Sequence, residues 1–191
     1  MLRNRAWKAR VRLLAAVAIA VTVTAVPTVI AAPGASAAGF FQWKNSGSNY
    51  CMDVANNVLY GTANQWACSP LPADEQWRWG SQLFSSTYYQ LIDDQGACLG
   101  LSNVNATLGD VVITEPCGGQ THPDQYWRTP QICLTNPRSF AIFNEVSSSR
   151  NQLYVVGPAG GSLNEGAQLT LQNDQNICNT QFWYGQASPG L

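Results

Sequence analysis

After residue 38 the chain carries almost no positive charge. Only Lys44, Arg78, Arg128, Arg138 and Arg150 stand against eleven acids, a formal net charge of −6 for that stretch. Nucleic acid and anionic membrane surfaces are held by clustered Lys and Arg, so neither is an expected partner. Histidine is almost as scarce: His122 is the only one, in "GGQTHPDQYW", and it reads as a solvated loop residue. There is no C-x-x-C pair, so a Cys/His zinc centre lacks its ligands, and no metal or cofactor is expected. Neither a Ser–His–Asp nor a Cys–His grouping is suggested. No capped amphipathic stretch of helical length follows residue 39, which sets helical architectures aside. The glycine-rich "GPAGGS" from Gly157 is followed by no Lys and opens no helix, so it reads as a hairpin loop and not a phosphate cradle.

Most of the missing positive charge sits at the other end. Residues 1–12 hold Arg3, Arg5, Lys8, Arg10 and Arg12 and no acid. Residues 13–32 are apolar apart from Thr22, Thr24 and Thr28, broken once by Pro27, and the small-x-small pattern Ala35-Ser36-Ala37 follows. A basic head, an apolar middle and such an end make residues 1–38 a secretory signal peptide, cut after Ala37 or Ala38. The apolar stretch is long enough for a membrane anchor, but Pro27, Pro33 and the cleavage pattern favour the signal peptide. The expected mature form is secreted and extracellular, has no membrane span, and comprises roughly 153 residues, enough for one domain over 39–191.

All six cysteines, Cys51, Cys68, Cys98, Cys117, Cys133 and Cys178, fall in that domain. An even count behind a signal peptide implies a disulfide framework. Chain order suggests Cys51–Cys68 and Cys98–Cys117, leaving Cys133–Cys178, although six cysteines admit many pairings. The tryptophans reveal an internal repeat. "DEQWRW", "DQYWRT" and "TQFWYG" place Trp77, Trp127 and Trp183 in Gln-x-Trp units, the first with Glu75 as a Glu-for-Gln variant. Upstream, "FQWKN", "YQLID" and "FAIFN" each follow an aromatic with Asn or Asp four residues on, and "CMDV", "CLGL" and "LYVV" come next. Three repeats result, approximately 40–80, 81–129 and 130–186. Runs are short, rich in aromatic and branched residues, and punctuated by Gly, Asn, Asp and Pro, so the fold class is all-β with about twelve short strands. Trp77, Trp127 and Trp183 recur at one place in every copy and are therefore expected in the structural core.

Three Gln-x-Trp units in register, a Cys-x-Asp-Val and a Gly…Trp-x-Cys segment resemble the ricin B-type β-trefoil lectins over essentially all of residues 40–186. The resemblance implies a β-trefoil with pseudo-threefold symmetry, a six-stranded barrel capped by hairpins. It also implies sugar recognition. Asp53 would accept hydrogen bonds from sugar hydroxyls, Trp66 would lie under the apolar face of a galactose-type sugar, and Asn64 and the residues ahead of Trp77 would complete the site. A pyranose has one C–H face that stacks on a ring and a rim of hydroxyls that need fixed partners. The carbohydrate-binding set is thus Asp53, Asn64, Trp66, Asp74 and Glu75. In the second repeat Gly100 and Glu115 replace the acid and the aromatic. In the third, Val155 stands for the acid and Gln172 for the aromatic, or Thr170 if the frame shifts by two residues. One competent site is expected, in the first repeat.

That site departs from the family pattern, with Asp74 in place of Asn and Glu75 in place of Gln. Ionised Asp cannot donate a hydrogen bond as Asn does. Three neighbouring acids would raise at least one pKa or recruit a cation such as Ca²⁺. Two other readings compete. Two altered repeats suit a trefoil that has lost sugar binding and acts through protein contacts, as an inhibitor or surface component. An enzyme would need a carboxylate pair, for which Asp53 and Glu75 are the candidates, but the expectation is a binding protein without catalysis.

Overall fold

The protein is described by a computed structural model covering residues 39–70, 73–83 and 87–185. These residues belong to one compact unit, Ala35–Leu191. The expected signal peptide, residues 1–38, lies outside the described residues.

Twelve strands follow in sequence, four to a repeat. The first repeat holds β1 (Lys44–Asn45), β2 (Cys51–Val54), β3 (Ala63–Trp66) and β4 (Trp77–Leu83). The second holds β5 (Tyr88–Asp93), β6 (Ala97–Leu101), β7 (Val112–Pro116) and β8 (Tyr126–Cys133). The third holds β9 (Asn136–Asn144), β10 (Tyr154–Pro158), β11 (Leu169–Asn173) and β12 (Trp183–Tyr184). The first and last strands of each repeat form an antiparallel ring in the order β1, β12, β9, β8, β5, β4. Phe41 closes it against Trp77 through two backbone hydrogen bonds of 2.8 Å. The middle strands form three hairpins, β2–β3, β6–β7 and β10–β11. Single bridges, Thr62 to Ile113, Val111 to Thr170 and Asn64 to Gln168, tie each hairpin to the next. A six-stranded barrel under a triangular cap of hairpins is a β-trefoil, the fold that the resemblance implies. Among the described residues one short α-helix interrupts it, Glu145–Ser149, capped by the Asn144 side chain, which accepts from the Val146 N–H.

The repeat motifs have physical counterparts. Phe41, Tyr89 and Phe140 face Trp77, Trp127 and Trp183 across the barrel ladder. The Asn or Asp four residues later turns the chain: Asn45 accepts from the Gly47 and Ser48 N–H groups at 3.0 Å, and Asp93 from Ala97 at 2.7 Å. These side chains supply the acceptor that the backbone lacks where a strand ends in a turn. All three repeat tryptophans are fully buried. Each indole N–H donates to the cap: Trp77 to the Met52 carbonyl (3.2 Å), Trp127 to Leu99 (2.9 Å) and Trp183 to Val156 (3.0 Å). The disulfides are Cys51–Cys68, Cys98–Cys117 and Cys133–Cys178.

The third repeat needs a correction. Val155 does not take the position of Asp53. Val155 pairs with Gln172 as Cys51 pairs with Trp66 and Cys98 with Glu115, so Val155 stands at the cysteine position. Gly157, opposite Thr170, is the residue that corresponds to Asp53. The slip is of two residues, and a strand has a period of two, so the inward–outward pattern of "LYVV" is the same in both registers. No cysteine is present there to mark the frame.

The tryptophan anchors yield the first prediction. Trp127→Phe keeps a ring in the core but strands the buried Leu99 carbonyl. We expect a loss of about 1–3 kcal/mol in urea unfolding, the cost of an unmet buried acceptor.

Candidate functional site

In the hairpin β2–β3, Asp53 lies opposite Asn64 and Cys51 opposite Trp66. Directly paired residues share one face of a sheet, so Asp53, Asn64 and Trp66 project together, while Met52, Val54, Ala63 and Gln65 turn into the core. The 3-10 turn Ala73–Glu75 then delivers two more carboxyls to this face of the hairpin. The first-repeat set named from sequence is therefore assembled, with unequal exposure. Trp66 is 49% exposed, whereas Asp53 is 8% and Glu75 2% exposed. On its other side the Trp66 ring rests over Gly166 of the third repeat, 3.2 Å from where a Cβ would stand.

Glu75 has a definite local task. Its Oε2 accepts from the Ser69 N–H at 3.0 Å and from Gln42 Nε2 at 2.7 Å. The corresponding Gln125 accepts from Gly118 N–H (2.7 Å) and donates to the Pro116 carbonyl (3.0 Å). Gln181 accepts from Gln175 N–H (3.0 Å) and donates to Asn173 (2.6 Å). The first residue of each Gln-x-Trp unit thus pins the strand that leaves its hairpin, and Glu75 makes the accepting half of that clasp.

Burial pushes the Asp53 carboxyl up to about 7, helped by the negative charges of Asp74 and Glu75 and by a hydrogen bond with Asp74. Glu75 is also raised, because burial and Asp74 outweigh the Ser69 and Gln42 hydrogen bonds. Of the two expected outcomes for three clustered acids, the raised pKa is present. Asn64 Oδ1 and Asp74 Oδ1 are buried without a hydrogen-bond partner. Such atoms carry a desolvation cost that a ligand donor would relieve.

The other two repeats are rebuilt rather than emptied. In the second, a Cβ on Gly100 would collide with the Glu115 carboxylate. In the third, a Cβ on Gly157 would come within 3.0 Å of Gln172 Oε1. Where glycine replaces the acid, the polar side chain at the Trp66 position turns into the space the acid would fill. Gln172 lines an open cleft of about 490 Å³ with Thr170, Thr180 and Gln181. His122 departs from the solvated loop residue expected of it: it is half-buried, its ring lies against Gly118, and its Nδ1 is enclosed. Sequence reasoning passed over Asp124, which is fully buried beside it. The available clue was that Asp124 repeats the position of Asp74.

No protein-family model and no curated protein matches the chain. Solved structures do. The designed threefold-symmetric protein ThreeFoil is 21% identical, with a TM-score of 0.65 over 77% of this chain and 97% of that one. The Rhizoctonia solani agglutinin is 15% identical, with a TM-score of 0.61 over 82% and 99% of the two chains. An exo-β-1,3-galactanase from Clostridium thermocellum is 16% identical at a TM-score of 0.65, but the 78% of this chain that matches spans only 30% of that enzyme. At these identities the likeness establishes the fold.

The raised Asp53 pKa gives a pH prediction. Asp53 shifts from an ordinary 3.8 to about 7, so the folded state holds the proton longer than the unfolded chain. The stabilising proton is fully bound in both states below the lower value, and folded stability falls as pH rises toward the upper one. Asp53→Asn removes this dependence. Its melting temperature should gain on that of the parent between pH 4 and pH 8, read by thermal unfolding at each pH.

Proposed function

We propose that the chain is a secreted carbohydrate-binding module without catalysis, with one competent site for galactose-type or related glycans in the first repeat. Trp66 is the stacking platform, Asp53 and Asn64 meet the hydroxyls, and Asp74 and Glu75 border them. The observation that carries this reading is a half-exposed indole on the same hairpin face as a nearly buried acid. Unpartnered Asn64 and Asp74 oxygens stand at its side. A flat apolar ring beside unsatisfied acceptors matches the two chemistries of a pyranose. A disulfide-closed loop holds them in place, which lowers the entropy lost on binding. The agglutinin and galactanase that share the fold are consistent in kind.

The Asp74-for-Asn exchange fits this site through a proton. With its carboxyl pushed up to about 7, mainly by burial, Asp53 is partly protonated near neutrality. A protonated Asp53 carboxyl donates a hydrogen bond that an ionised one cannot. Glu75 is committed to Ser69 and Gln42, which argues against Asp53 and Glu75 as a glycosidase pair. A single shallow site of this kind binds a monosaccharide with a Kd near millimolar, about −4 kcal/mol, and gains strength from clustered ligands.

Val58, Leu59 and Tyr60 form an exposed apolar run in the β2–β3 loop, 52%, 54% and 65% exposed, and favour protein contacts as the second reading. A glycan array with residues 38–191 decides between the two. Binding of one sugar class that disappears in Trp66→Ala and Asp53→Ala, both still folded, upholds the site. A folded parent that binds no glycan hands the function to the apolar run. Where sugar binds, affinity should weaken from pH 7 to pH 9 as the Asp53 proton leaves.

A further inference from the structure

The second repeat brings together a group of side chains that sugar recognition in the first repeat does not use. Glu115 lies on β7 at the Trp66 position. His122 and Asp124 come from the loop and 3-10 turn that lead into β8. One potential ligand atom from each lies within 4.8 Å of the others. Asp124 is 0% exposed, and its carboxylate oxygens meet no donor of the surrounding chain apart from the facing Glu115 carboxyl. Glu115 Oε1 and His122 Nδ1 are likewise buried and unpartnered. Native proteins rarely leave one such atom unmet, and here four belong to three neighbouring side chains.

The surrounding chain fixes these groups. The Asp124 carbonyl accepts from Asn144 Nδ2 at 2.7 Å, and the His122 N–H donates to the Gly119 carbonyl at 3.0 Å. Gly100 leaves the room that the Glu115 carboxylate fills, and Gly118 leaves the room for the imidazole. A divalent cation resolves the arrangement directly: it neutralises two carboxylates, accepts an imidazole lone pair, and gives the orphaned oxygens a partner.

We propose that the second repeat binds a divalent transition-metal cation of the zinc type, held by Glu115, His122 and Asp124. Two carboxylates and one imidazole suit a borderline ion, whereas Ca²⁺ and Mg²⁺ favour all-oxygen shells. Three protein ligands leave a further position, and half-buried Glu115 and His122 open it to solvent. The cation would stand in the second repeat where the first presents Asp53 and Trp66. It would give one fold two binding chemistries.

The test is a calorimetric titration of Zn²⁺ into untagged residues 38–191, the expected mature chain, with Co²⁺ absorption as a spectroscopic check on ligand geometry. The expected result is one saturable site per chain, unaffected by excess Ca²⁺. It should weaken at least about tenfold in Asp124→Asn and in His122→Gln, since each removes a direct ligand. Near-UV circular dichroism reports whether the variants fold. Should buried Asp124→Asn fail to fold, half-buried His122→Gln decides the matter. Absence of a saturable site overturns the proposal, as does unchanged affinity in the folded variants. Displacement by Ca²⁺ overturns the class of ion assigned.

Discussion

Three buried hydrogen bonds, each from an indole N–H to a cap carbonyl, hold the two layers of this trefoil in relation to one another. They join Trp77 to Met52, Trp127 to Leu99 and Trp183 to Val156. Each tryptophan is a barrel residue and each acceptor sits in the first strand of a cap hairpin. A buried indole without an acceptor would be costly, so the ring position and the hairpin position are set together. Because the same bond is made three times, it imposes the pseudo-threefold symmetry on hairpins whose sequences have otherwise diverged.

That division leaves the outer faces of the hairpins free to change. Strand alternation sends Met52, Leu99 and Val156 inward, while the positions of Asp53, Gly100 and Gly157 point away from the core. On the outer faces the repeats have taken separate paths. The first combines an acid with an aromatic, the second combines glycine with Glu115, and the third combines glycine with Gln172. The two glycines are coupled to their partners by space, since any side chain there would meet the polar group that has turned inward. The clasp made by Glu75, Gln125 and Gln181 persists beneath all three, so each pocket floor is fixed while its chemistry differs.

The fold was legible because its determinants are local and repeated: Gln-x-Trp marks the anchors, and the Asn or Asp four residues after each aromatic marks the turns. The pairing of Val155 was not legible, because a two-residue slip preserves alternation and no cysteine marks the frame. At the candidate site, sequence named Asp53, Asn64, Trp66, Asp74 and Glu75 but could not separate the exposed indole from the sequestered Glu75. Exposure depends on Gln42 and Ser69, which are remote in sequence from Glu75 or carry no motif. His122 was read as a solvated loop residue, and Asp124 was passed over, for a related reason. Their proximity to Glu115 arises from the path of the loop into β8, and a lone histidine gives no spacing pattern to read.

The disulfides carry a topological consequence. The bonds at 51–68, 98–117 and 133–178 close three covalent rings, and each encloses one hairpin of the cap. The exposed tips of the three cap hairpins, where a protease can find purchase, therefore all lie inside rings. One cut at Leu59, Leu108 or Leu163 opens a ring but frees no fragment, and the two ends stay tethered by sulfur and by the bridges between hairpins. Such a nicked chain would retain its mass until it is reduced, and each outward face would remain attached to the barrel that positions it.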